Sequence, residues 1–178
     1  MGNLAKVSIL VSTVLLTACA TGASKNAAGN LAVEEKITIN APASKVWAKV
    51  NNFGDLGAWH PAVAKTEITN GTNNQPAAVR LLTLQDGGTI KETLTAYSVP
   101  GMSYSYVINE GVLPVSQYAS TIQIKPINSG SSEVIWSGKF KRKDLSATPA
   151  SGQDDEAATK TIHAVYRGGL DNLKKITE

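Results

Sequence analysis

The stretch FGDLGAWHPAV, residues 53–63, carries one of the two histidines of this chain, His60, between Trp59 and Pro61. An imidazole in that setting can act as a general base, as a polar group at the mouth of a cavity, or as a turn residue satisfied by nearby backbone. Other groups able to do chemistry are sparse. Glu92 lies among apolar residues in TIKETLTAY, Arg80 precedes it in AVRLLTL, and Tyr104, Tyr106 and Tyr118 bring phenols. His163 and Arg167 stand four apart, on one face of any helix that holds them, where they can reach an anionic head group or leave Arg167 to pair with Asp171. His60 and Glu92 are the candidate proton-transfer residues if the protein is an enzyme. No Gly-rich phosphate loop, HExxH or G-x-S-x-G occurs, and two histidines without a cysteine cluster make a poor zinc or iron set. No metal or cofactor is therefore expected. The net charge of +3 is spread over mixed signs with no run of like charge longer than three residues, so nucleic acid is not an implied partner.

These groups must be held by local structure, which the periodicity supplies. VEEKITIN (33–40) alternates as a strand, and Asn40-Ala41-Pro42 then gives a cap candidate and a proline ahead of a short helix carrying Val46, Trp47 and Val50. A second helical turn is expected over Asp55–Trp59, stopped by Pro61. Alternating segments follow at KTEITN, AVRLLTL, TIKETLTAYS, MSYSYVIN, YASTIQIKP and EVIWSGKFKRK, separated by stretches rich in Gly, Asn and Pro, as in a meander of antiparallel hairpins. A long helix closes the chain, with Asp154, Asp155 and Glu156 at its start and Lys174 and Lys175 at its end. Its apolar stripe is Ala158, Ile162, Val165, Tyr166, Gly169, Leu170, Leu173 and Ile176. Gly168 and Gly169 cost about 1 kcal/mol each in a helix interior, so close packing or space for a ligand is expected beside them.

This order describes an α+β domain in which a curved antiparallel sheet of about seven strands wraps around a long C-terminal helix, with two short helices after the first strand. One helix cannot fill the whole concavity. The faces turned towards it hold Ile90, Glu92, Leu94 and Ala96, then Tyr104, Tyr106 and Ile108, then Tyr118, Ile122 and Ile124, then Val134, Trp136 and Phe140. A wall of aromatic and polar side chains is what ligand cavities tend to show. The alternative is a structural Arg80–Glu92 ion pair with tyrosine hydroxyls reaching water at the rim.

Ahead of the domain, residues 1–20 read as one positive charge, a short apolar run and small residues. That is a secretory signal rather than a membrane span, which needs ~20 apolar residues. Leu16-Thr17-Ala18-Cys19 resembles the bacterial lipobox, so Cys19, the only cysteine, is the expected lipidation site. The residue after it is Ala20, not Asp, which by resemblance to lipoprotein sorting rules implies an outer-membrane anchor facing the periplasm. The expected divisions are a signal over 1–18, a tether over 19–32 and one domain over 33–178.

WHP after the first helices, AVRLLTLQDGGTIKETL, YSYVINEGVLPVSQYASTI, VIWSGKF and the long final helix together resemble the START-like (SRPBCC, helix-grip) superfamily. Within it the chain is most similar to the polyketide cyclase/dehydrase and lipid-transport branch that includes methanol-oxidation accessory proteins (MxaD-like). The resemblance implies a cavity for a hydrophobic or amphipathic small molecule or lipid, gated by Gly111-Val112-Leu113-Pro114-Val115. It also implies two alternatives, an accessory protein docking on a periplasmic redox enzyme and a cyclase/dehydratase-like enzyme. The candidate ligand-binding set is Trp59, His60, Arg80, Glu92, Tyr104, Tyr106, Leu113, Pro114, Tyr118, Trp136, His163 and Arg167.

Overall fold

The alternating segments form seven strands in the computed structural model, which describes residues 28–178. They are β1 (Leu31–Ile39), β2 (Val63–Asn70), β3 (Val79–Leu84), β4 (Thr89–Ser98), β5 (Ser103–Gly111), β6 (Val115–Asn128) and β7 (Ser131–Arg142). Helix α1 (Ala43–Val50) follows β1, and helix α2 (Asp155–Thr177) follows β7. The strand order is β1-β7-β6-β5-β4-β3-β2, antiparallel throughout. Consecutive strands pair through hairpins from β2 onwards, and β1 adds to the far edge beside β7, giving the α+β helix-grip architecture read from the sequence. The signal, Cys19 and most of the tether lie outside the described residues.

Several boundaries differ from expectation. β1 begins at Leu31, so the last two residues of the expected tether pair with β7, Leu31 opposite Phe140. Asn40 does not cap α1; Pro42 takes that position, and its carbonyl accepts from Lys45 N at 2.9 Å. The second short helix is a single 3₁₀ turn, Leu56–Ala58. Within β4, Ile90, Glu92 and Leu94 are buried, but a register shift against β5 between Leu94 and Ala96 turns Ala96 outward.

Helix α2 is capped by Asp154, whose Oδ1 accepts from Ala157 N at 2.8 Å. Its buried stripe runs through Ala158, Ile162, Tyr166, Gly169, Leu170 and Leu173. Val165 is only half-buried and Ile176 is exposed; Thr177 is buried in the last turn, its Oγ1 donating to Leu173 O at 2.6 Å. The helix packs mainly on β1 and β7. Because it covers one side of the concavity, the inward faces of β3, β4 and β5 are left to enclose space against the turn at Trp59–His60.

Candidate functional site

That space is a cavity of about 70 Å³. Its floor comes from the inward faces of β3–β7, including Leu82, Ile90, Glu92, Tyr106, Tyr118 and Trp136. Its rim is formed by partly exposed side chains, among them Leu84, Ile108, Leu113 and Val165, with Ala62 and His60 on the turn. Apart from Glu92, His60 and the two tyrosine hydroxyls, the walls are apolar. It holds only a handful of non-hydrogen atoms, well below the roughly 300–1,000 Å³ of pockets for drug-sized ligands.

Glu92 is the unusual wall residue, a carboxylate 4% exposed. Its partner is Arg80, directly opposite on β3, whose Nε donates to Glu92 Oε2 at 2.6 Å. Arg80 lies fully buried behind the cavity, where its Nη1 donates to Phe53 O at 2.8 Å. Its guanidinium carbon lies 4.1 Å from the Phe53 ring centre and 5.1 Å from that of Tyr106. Among the described residues Nη2 has no hydrogen-bond partner. Burial disfavours the guanidinium charge, but the Glu92 carboxylate outweighs it and holds the Arg80 pKa above its ordinary value. Burial pushes the Glu92 carboxyl above the ordinary carboxylate range, and Arg80 opposes that shift.

His60 is buried and fully engaged. Its Nε2 lies 3.0 Å from Val165 O, and its Nδ1 accepts from Ala62 N at 3.2 Å. A carbonyl only accepts, so Nε2 carries the proton and the ring is the neutral tautomer. Burial, helped by the charge of Arg80, lowers its pKa from 6.5. Asn172 Nδ2 donates to Trp59 O at 2.8 Å, so the Trp59–His60 turn is fastened to α2 at two points. With both nitrogens committed to backbone, the imidazole is a strut between turn and helix.

The hydroxyls of Tyr106, Tyr118 and Tyr166 are joined inside the core, not at the rim. Tyr118 and Tyr166 share a hydrogen bond at 2.5 Å, and Tyr166 and Ser120 another at 2.9 Å. Ser120 Oγ donates to Ser137 O at 2.9 Å, and Trp136 Nε1 donates to both Ser120 Oγ and Tyr106 OH at 3.1 Å. The Trp136 and Tyr166 rings stack with centroids 4.5 Å apart. Burial raises the pKa of every phenol in this group, that of Tyr166 to about 12.

Of the residues singled out in the sequence, His60, Glu92, Tyr106, Leu113, Tyr118 and Trp136 face the cavity. Trp59, Arg80 and Tyr104 are buried around it without lining it, and Pro114 lies beside Leu113 but off the wall. His163 and Arg167 are elsewhere. They sit on the outer edge of α2 beside β1, with His163 Nδ1 2.7 Å from Glu35 Oε1 and Arg167 3.4 Å from Glu35 and 3.7 Å from Asp171. The i,i+4 geometry that put them on one face chose the face towards Glu35 and solvent. Residues missed as site members are Leu56, Ala62, Val63, Leu82, Leu84, Ile90, Ile108 and Val165 on the wall, and Ser120 and Tyr166 in the network. Ser120 carried a signal, a small hydroxyl in step with Tyr118 and Ile122 on an otherwise apolar strand face.

A seven-stranded antiparallel sheet gripping one long helix, with a small apolar cavity between them, defines a ligand-binding helix-grip domain. Residues 30–178 match the family described as polyketide cyclase/dehydrase and lipid transport, and the chain belongs to that family. Two solved structures share 30% identity. The protein XoxI from Bacillus cereus has a TM-score of 0.71, with 82% of this chain and 94% of that one covered. A Bacillus thuringiensis protein has a TM-score of 0.72, with 83% and 98% covered. The ZhuI aromatase/cyclase from Streptomyces sp. R1128, at 18% identity, a TM-score of 0.64 and coverage of 84% and 92%, shares the fold. No curated protein matches the sequence.

Proposed function

We propose that the protein is a lipoprotein of the bacterial envelope, anchored through Cys19 and facing the periplasm, whose domain holds a hydrophobic or amphipathic small molecule between sheet and α2. Apolar walls supply affinity and the few polar groups fix orientation. The observation that carries this reading is Glu92: a carboxylate turned into a mainly apolar cavity, with only one oxygen engaged by Arg80. The commitment of both His60 nitrogens favours binding over proton transfer at that residue. The ligand is small, or it enlarges the cavity by displacing the half-buried side chains of Leu113 and Val165. Segment 111–116, which carries Leu113, is then the gate.

The test is native mass spectrometry with organic extraction on the protein isolated from its own envelope fraction. A stoichiometric small molecule, absent from a folded Val165→Trp variant that fills the rim, is expected. A clean apo mass, together with no stabilisation by lipids or aromatic compounds, overturns the reading in favour of docking on a protein partner. Cys19 is tested separately, by whether Cys19→Ala releases the protein from the membrane fraction.

A further inference from the structure

Resting on that reading, the polar groups left uncommitted in the cavity define its ligand more narrowly. Glu92 on β4 stands opposite Ile108 on β5, and Tyr106 stands opposite Leu94, so the two residues are diagonal in register on one inward face. Both line the cavity. Arg80 occupies Oε2 of Glu92, and among the described residues Oε1 accepts no hydrogen bond. The Tyr106 oxygen accepts from Trp136 Nε1, which leaves the Tyr106 proton without an acceptor. The remaining donors on the wall are spent: His60 Nε2–H on Val165 O, and the Tyr118 O–H on Tyr166. The cavity therefore offers one strong, charged acceptor and one donor on its wall.

Charge selects among the groups that could meet them. Arg80 already neutralises Glu92, and both are buried. An ammonium would leave a net positive charge in a low-dielectric space, and a carboxylate would leave a net negative one, each without a counter-ion. A hydroxyl adds no charge and matches both vacant positions. We propose that the site takes a neutral hydroxyl compound, an apolar alcohol or phenol, whose O–H donates to Glu92 Oε1 and whose oxygen accepts from the Tyr106 hydroxyl.

The probes are phenol, toluene, benzoate and benzylamine, titrated calorimetrically at pH 7 into the full-length protein with blank titrations into the same detergent. Phenol is expected to bind about tenfold or more tightly than toluene, because an unmatched buried polar pair penalises the analogue that lacks the hydroxyl. Benzoate and benzylamine are expected to bind no better than toluene. In Tyr106→Phe the preference for phenol over toluene, taken as the ratio of the two affinities within that variant, should fall to within about threefold. Equal affinity of phenol and toluene overturns the hydroxyl assignment and leaves the cavity standing. Tightest binding by benzoate or benzylamine overturns the charge argument. If none of the four binds, the cavity reading itself falls, and this inference with it.

Discussion

Gly169 lies against His60: a β-carbon at position 169 would come within 2.6 Å of the imidazole Cδ2 and 2.8 Å of Trp136 Cζ3. The backbone of α2 thus approaches the turn as closely as the missing side chain permits, and that closeness lets Val165 O receive the His60 proton. Gly168, one residue earlier, faces open space, with nothing within 4 Å of the same added carbon. Neighbouring glycines in one helix therefore have opposite roles, and substitution separates them. Gly169→Ala should cost about 1–3 kcal/mol by forcing the imidazole and indole apart. Gly168→Ala should gain up to about 1 kcal/mol from helix propensity. Urea denaturation of the two variants checks the sign of each.

The engaged imidazole gives an acid limit to stability. His60 has its folded pKa below 6.5, so as pH falls through the ordinary histidine range the unfolded chain takes up a proton that the folded protein refuses. Stability should fall below about pH 6.5, by at most about 1.4 kcal/mol per pH unit for this one group. The effect should persist in His163→Gln and flatten in His60→Gln, read from urea midpoints between pH 7.5 and 5.

At the alkaline end the sign follows from the tyrosines. The folded pKa of Tyr166 is raised from 10.0 to about 12, so between those values the unfolded chain loses a proton that the folded protein keeps. Stability is intact below pH 10 and is lost as pH rises towards 12, with Tyr106 and Tyr118 adding in the same direction. Phenolate absorbance near these values should rise together with the loss of tertiary circular dichroism, not ahead of it.

The Arg80–Glu92 pair predicts non-additivity. Arg80→Met alone strands a buried carboxylate and Glu92→Leu alone a buried guanidinium, each expected to cost about 3–5 kcal/mol. The double replacement should recover most of that loss, since a well-packed apolar pair removes both desolvation costs. A thermal unfolding cycle of the four proteins measures the coupling.

What the chain determined by itself was the set of elements and their inward faces. Period-two alternation made the strands, turn residues between them enforced antiparallel hairpins, and the opposed charges of Asp154–Glu156 and Lys174–Lys175 bounded the final helix. Those are local causes, acting within a few residues. The placement of Glu92 on an apolar face was legible for the same reason, while its pairing with Arg80 across one hairpin stood only as one of two open readings until the structure showed it. Tertiary structure decided what local rules could not reach. Whether His60 was a base or a strut depended on Val165, 105 residues away, whose carbonyl took up one ring nitrogen. Ala96 left the inward face because a bulge against β5 broke the alternation. His163 and Arg167 left the site because the rotation of α2 on β1 set them against Glu35. The size of the cavity was decided the same way, by how closely one helix, held near by a glycine, lies on a curved sheet.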